Sequence, residues 1–529
     1  MENIYQKVQG YAGIFSSVPA GTPTNAEPDG PLCGNGDIGI AAGMENGAAT
    51  FWIGKNDFWY TNCTDPAARI SGVKCFGKFS FYSEPLRDAS FSARQELATA
   101  DIEINLENEK HHLRLRVYTP YQRSLIVAEA QAVKGDIPLE IQLKPLEEIY
   151  AVSTSRTEGN ILTATKEYIG EKVAWETKGA AYGQILGWDR RSGVLCEGER
   201  ATFVISVKTN HDCADYPAQA EAEVKAAAPE KLDQYRAEHL AWWKEFWNTS
   251  GISISSEPDV EKFWYASHYL LACCCKEGKF APGLFGNWIT TNKPNWGSDY
   301  HLNYNYQAPW WGVFSSNKVE LAAPYDKTLM DYIPIAQRNA REDAGCRGIY
   351  AKTGVGPLGV ELNPTVFYNE DGTVNHELPY LGQRSNAAYA AVNMVMRFYS
   401  TWDKEYARKY ALPYLREVAD FWEDYLKFED GRYVIYNDCV HENSILILRW
   451  QKKSTEGFQD HSDDFNPILT LGLLRLVFRG LLDISEYLGE DEGRREKWNH
   501  ILTHLSDFPL QEREGKTVFR YMERGMDWC

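Results

Sequence analysis

The spacing of apolar residues changes once along this 529-residue chain, and that change limits the fold more than any single motif does. Up to about residue 215, short runs alternate apolar with polar residues and recur about every ten positions between turn residues, the pattern of half-buried strands. Ala49–Ile53, Lys78–Tyr82, His112–Tyr118, Ser124–Ala130, Leu139–Leu143 and Ala201–Val207 are such runs. In His112–Tyr118, Leu113, Leu115 and Val117 face one way while Arg114 and Arg116 face the other. Many strands with no helices between them predict an antiparallel β-sandwich over residues 1–215.

From residue 216 Ala and Glu rise and the period becomes helical. Pro229–Ser250 places Leu240, Trp243, Phe246 and Trp247 on one stripe, predicting a helical linker over 216–255. Ser256, Pro258 and Asp259 mark the start of a further helix. Val260, Phe263, Trp264, Ser267, Leu270, Leu271 and Cys274 form its expected buried stripe. Later helices are predicted near 318–341, 385–400, 403–427, 467–488 and 492–506. In the third of these later helices Leu415, Val418, Phe421, Trp422 and Tyr425 form the stripe. Successive helix pairs fit stacked hairpins. Long loops at 281–317 and 343–383 are where such a scaffold carries function.

Composition removes several classes of function. A formal charge of −18 repels phosphate backbones, so nucleic acid is not the expected partner. Mean hydropathy is −0.45 and no apolar run reaches 18 residues, so no membrane span is expected. The N-terminal residues lack a basic region followed by an apolar one, and the 11 cysteines show no CxxC spacing. Free thiols in the cytoplasm, with no metal and no cofactor, are the expectation.

Four stretches carry candidate chemistry. Gly283–Gly312 holds four Trp and several Asn, offering apolar faces for sugar rings and amides for hydroxyls, although an aromatic core plug has the same composition. Asn303 and Asn305 point the same way if the segment is extended, so two amides would hold one small molecule such as water. In Asn437–Ser444, Glu442 is either a solvated loop residue or the acid a glycosidase needs. In Gln459–Asn466, Asp464 either meets sugar hydroxyls or caps the following helix. The glycines of Gly30–Gly43 are not spaced as a phosphate loop and suit a tight turn between strands.

Taken in order, these segments resemble the glycoside hydrolases of family 95, the inverting α-L-fucosidases and α-L-galactosidases. The resemblance rests on Gly34-Asn35-Gly36-Asp37-Ile38-Gly39 and Lys55-Asn56-Asp57-Phe58-Trp59. It continues with Leu284-Phe285-Gly286-Asn287-Trp288, Asn295-Trp296, Tyr300, Asn303, Asn305, Gln307 and Trp310-Trp311, and ends with Val440-His441-Glu442-Asn443. It implies a β-sandwich, a helical linker and an (α/α)6 barrel over 256–529. Glu442 would be the general acid, with Asn303 and Asn305 positioning the attacking water. Trp288, Trp296, Tyr300, Gln307, Trp311, Asn443 and Asp464 would bind a carbohydrate substrate. The acid would be partly desolvated and about 6.5–9.5 Å from the group that activates water.

The chain departs from the family pattern in three places. His441 stands where the family has Pro. Gly348–Thr353 has no His where the family has a His-rich sugar-reading loop, as in a divergent branch with another sugar preference. About six helices follow residue 256, against twelve in a full barrel, so a C-terminally incomplete chain is expected, with a helper Asp beyond Cys529. An inverting phosphorylase on the same architecture and a non-catalytic carbohydrate-binding protein are the alternatives.

Overall fold

The alternation before residue 215 builds two antiparallel sheets. The computed structural model describes residues 4–62, 70–362, 382–440, 442 and 465–524. The larger sheet has nine strands, in the spatial order Ala12–Phe15, Ser90–Glu96, Asp101–Glu107, His112–Tyr118, Leu125–Lys134, Arg200–Thr209, Thr177–Leu186, Ile161–Tyr168 and Val152–Glu158. The smaller has six, ordered Ser192–Leu195, Ile137–Pro145, Gly77–Tyr82, Ala48–Lys55, Ile38–Glu45 and Leu32–Gly34. Both sheets contribute to one continuous core, in which Phe51, Phe79, Ile104, Leu115, Ile141 and Phe203 are wholly buried. Leu113, Leu115 and Val117 enter that core as the alternation predicts. On the opposite face Arg116 meets its cross-strand partner Glu129 at 2.8 Å.

By its contacts the chain divides into two compact units, Met1–Asp299 with Ser316–Pro324, and Tyr300–Ser315 with Tyr325–Cys529. The first unit therefore extends past residue 255. It includes helices α1 (Tyr216–Lys225), α2 (Pro229–Asn248) and α3 (Pro258–Cys274). Helices α1 and α2 pack on the sheets. Val224 of α1 and Ala227 bury against Leu125 and Val204. On α2, Arg236 forks onto Asp101, and the Trp247 indole donates to the Leu97 carbonyl at 3.0 Å.

On α3 the expected stripe is corrected. Val260 and Phe263 are 53% and 71% exposed, while Glu261, Tyr265, His268, Tyr269, Ala272 and Cys273 face inward. This helix is apolar on nearly every side, so period alone does not select a face. Its polar residues do, because they find partners inside. Lys7 lies 2.7 Å from Glu261, His268 Nε2 lies 2.8 Å from Ser316 Oγ, and the Tyr269 hydroxyl donates to the Leu32 carbonyl at 2.7 Å.

The glycine-rich stretch and the strand after it form a buried charged knot. Asn35 Oδ1 accepts from the backbone N–H of Asp37 and Ile38, closing the expected tight turn. Lys55, with no exposed side-chain surface, lies 2.9 Å from Asp37, 2.7 Å from Asp57 and 3.1 Å from Asp212. Lys279 meets Asp37 and Asp212 at 3.0 and 2.5 Å. Burial opposes the charge on Lys55, but the three aspartates outweigh it and raise its pKa. Burial likewise pushes the Asp212 carboxyl up, and Lys55 and Lys279 more than reverse this, holding it well below the usual range. Asn56 donates to the carbonyls of Gly36, Cys274 and Phe280.

The second unit is helical: α4 (Ala323–Ala344), α5 (Asn386–Thr401), α6 (Leu412–Tyr425), α7 (Ile468–Leu488) and α8 (Glu492–His504). On α6, Leu415, Val418, Phe421 and Trp422 are buried as expected, and Tyr425 is half-buried. Arg397 of α5 and the Tyr406 hydroxyl both bond Asp326 of α4. Burial of Asp326 prevails over the opposing pull of Arg397 and raises its pKa to about 6. No described helix is long and apolar enough to cross a membrane.

Two outcomes follow from these buried charges. Lys55→Met leaves three aspartates without their central cation and lowers the unfolding free energy by about 3–5 kcal/mol in urea titrations. Asp326 binds its proton more tightly folded than unfolded, so ionising it costs stability as pH rises from about 4 to about 6. Across that window wild type loses about 2 kcal/mol relative to Asp326→Asn, as measured by urea unfolding at both ends.

Candidate functional site

The candidate residues of the second unit come together through a short ribbon. Tyr300–His301 pairs antiparallel with Gly354–Val355, and the Leu302 N–H donates to the Thr353 carbonyl at 2.8 Å. The chain then turns instead of running on extended, for the Tyr306 N–H reaches the His301 carbonyl and the Gln307 N–H the Tyr304 carbonyl, each at 3.0 Å. This turn breaks the two-residue period on which the shared direction of Asn303 and Asn305 depends. Asn303 is wholly buried and Asn305 is exposed.

A second segment delivers Glu442. The Cys439 N–H donates to the Gly382 carbonyl, and the Arg384 N–H donates to Asp438 Oδ1 at 2.7 Å. Thr470 of α7 donates to the other oxygen of Asp438 at 2.5 Å. These bonds, with one from Arg384 Nε to the Asn437 carbonyl, hold residues 437–439 along 382–384, just before α5. Glu442 follows in a left-handed backbone conformation, φ 62°, uncommon for a non-glycine residue. Its Oε1 accepts from Asn303 Nδ2 at 2.7 Å, and His301 Nε2 lies 3.8 Å away. The same Asn303 nitrogen donates to Gln383 Oε1 at 3.0 Å.

Asn303 and Glu442 thus meet across 139 residues of sequence. Their direct bond leaves no room for a water between those two atoms, and the Glu442 side chain is 39% exposed. Gln307 is a strut. Its Nε2 donates to the Leu302 carbonyl, and its own carbonyl accepts from Asn393 at 2.9 Å. Tyr300 is buried against Tyr306. Trp311 is half-buried, edge-on to Tyr304, and its indole N–H has no partner. Asn443, Asp464 and His441 lie outside the described residues.

Trp288 and Trp296 belong to the first unit. Trp288 is core, 6% exposed, its indole donating to the Cys33 carbonyl at 2.9 Å. That part of the loop is the aromatic plug that its composition also allowed. Asn292, bonded by Lys166 and donating to the carbonyls of Leu146 and Glu147, pins it to the sandwich. Trp296 is 66% exposed.

Sequence reasoning passed over His301, Gln383 and Asp438. Their signal lies in tertiary pairing, since none stands in a spacing that marks chemistry. Among the described residues, no group of three or more His, Cys, Asp or Glu is placed to hold a metal ion.

The model of the glycosyl hydrolase family 95 catalytic domain matches residues 233–517, and the chain belongs to that family. No curated protein matches it. A solved structure named "Putative kojibiose phosphorylase from human microbiome" is 9% identical with a TM-score of 0.61, over 95% of this chain and 70% of that one. A bacterial glucoamylase complexed with acarbose gives 10% and 0.43, over 97% of this chain and 73% of that one. A family GH92 α-mannosidase from Bacteroides thetaiotaomicron gives 11% and 0.37, over 95% and 65%. The first of these likenesses shows a shared fold.

The contrast between the two asparagines is measurable. Asn303→Ala removes the donor to a buried Gln383 oxygen and lowers stability by about 1–3 kcal/mol. Asn305→Ala, on the surface, changes it by less than about 0.5 kcal/mol in the same urea titration.

Proposed function

We propose that this protein is an inverting glycoside hydrolase acting on α-L-fucosyl or α-L-galactosyl linkages of oligo- or polysaccharides. Within the family 95 match, the observation that carries this reading is the 2.7 Å bond between Asn303 and Glu442. Glu442 is the general acid that protonates the departing glycosidic oxygen. Asn303 holds it by one carboxylate oxygen, leaving the other for the leaving group. Inversion needs the water on the opposite face of the sugar from the acid. Asn303, in contact with the acid, is badly placed for that water, whereas the exposed Asn305 is open to it. Trp311 and Tyr304 offer ring surface to the sugar. We read the helices of the second unit as part of an (α/α)6-type barrel. The nine described cysteines, all free, suit the cytoplasm.

A screen of aryl glycosides of fucose, galactose, arabinose, rhamnose and xylose finds the substrate, and proton NMR of the first-formed sugar anomer reads the stereochemistry. Glu442→Gln lowers kcat about 10²–10⁴-fold. The loss is smaller for dinitrophenyl glycosides, whose leaving group needs no proton. Retained configuration, or an unimpaired Glu442→Gln enzyme, refutes the reading. A sugar 1-phosphate formed when phosphate is added identifies a phosphorylase instead.

A further inference from the structure

The Asn303 carboxamide has two faces of opposite character, and the one turned to Glu442 decides whether the carboxylate meets a donor or another acceptor. Its nitrogen lies against two acceptors, Gln383 Oε1 at 3.0 Å and Glu442 Oε1 at 2.7 Å. Turned over, Asn303 would set its oxygen against both. Gln383 is 1% exposed, three residues before α5, and its backbone carbonyl accepts from the Tyr350 hydroxyl at 3.4 Å. Its buried side chain has less room to move than that of Glu442, which is 39% exposed. A second observation concerns what this pairing leaves over. Asn303 Oδ1 and Gln383 Nε2 are buried and without hydrogen-bond partners. One is an acceptor and the other a donor, on carboxamides already bonded to each other. Buried polar groups seldom stay unpaired, and a sugar hydroxyl supplies both missing halves, donating to one amide and accepting from the other.

We propose that Gln383 is a positioning residue that acts through Asn303, turning the Asn303 nitrogen toward Glu442, and that Gln383 Nε2 and Asn303 Oδ1 together take one hydroxyl of the bound sugar. The inference rests on the glycosidase reading above and adds a residue that the chain's family motifs do not mark. The two tasks of Gln383 separate by substitution. Gln383→Leu removes both. Gln383→Glu keeps an acceptor for Asn303 and removes the donor to the hydroxyl.

On the aryl glycoside found by screening, Gln383→Leu lowers kcat about 10–100-fold and raises KM, whereas Gln383→Glu raises KM with kcat within about fivefold of wild type. Added to Asn303→Ala, Gln383→Leu lowers kcat no further, because its effect passes through Asn303. A readout that needs no turnover is the side-chain NH2 of Asn303 in nitrogen-15 NMR, assigned by its loss in Asn303→Asp. Its protons exchange slowly with solvent in wild type and in Gln383→Glu, and faster in Gln383→Leu. The proposal is overturned if Gln383→Leu leaves kcat within threefold of wild type, if its effect multiplies with that of Asn303→Ala, or if the Asn303 signals do not respond. An active Glu442→Gln enzyme defeats the glycosidase reading instead, and the Asn303 signals still report on the part played by Gln383.

Discussion

One buried ammonium organises the first unit. Lys55 gathers Asp37 from the turn before its own strand pair, Asp57 from its own strand end and Asp212 from the end of the long strand Arg200–Thr209. Lys279, from the segment after α3, adds a second cation. Such a cluster is a weak source of net stability, since desolvating five charges offsets most of their attraction. Its value lies in geometry. Each partner removed leaves an uncompensated buried charge, so the segments that supply the five residues tolerate only one mutual arrangement. Asn56, in the middle of the same short sequence, secures three backbone carbonyls from that arrangement.

The surroundings of Asn303 rely on neutral amides where those of Lys55 rely on ions. Asn303, Gln307, Gln383, Asn386 and Asn393 are all buried; Asn303, Gln307, Asn386 and Asn393 donate to a carbonyl, an amide, a hydroxyl or a carboxylate, and Gln383 accepts from Asn303. Amides bring no desolvated net charge, and every one carries both a donor and an acceptor. A cluster of this kind can hold an acid in place and still present hydrogen-bonding atoms of both kinds to an uncharged polyol.

How much of this was legible in the sequence depended on whether the signal was local. The strand His112–Tyr118 has the bounds and the inward face that its alternation predicts, and α6 buries most of its expected stripe, because in both the contrast between apolar and polar faces is sharp. On α3, apolar on nearly every side, the choice of face fell to Glu261 and His268, whose partners Lys7 and Ser316 lie far away in sequence. Asn303 and Glu442 stand out by residue type and take their roles from likeness to a family, and their contact follows from bonds made by Asp438 and Gly382 that no spacing announces. Asn303 and Asn305 do not share a direction, because a turn looks like a strand when two residues are considered without their backbone bonds. Trp288 shows the same limit, since an indole meant for a sugar and one meant for a core have identical composition.

The glycines of the first motif have a consequence for how relatives are recognised. A side-chain carbon on Gly39 or Gly54 would come within 2.2 or 1.9 Å of Asn287, and one on Gly34 within 2.3 Å of the Cys273 carbonyl. These positions answer to close backbone approach inside the first unit, and no ligand is needed to explain them. Selection acting on them is selection for a packed seam. A search keyed to that glycine pattern gathers proteins that share the seam, so kinship inferred from it carries lineage and is silent on diet.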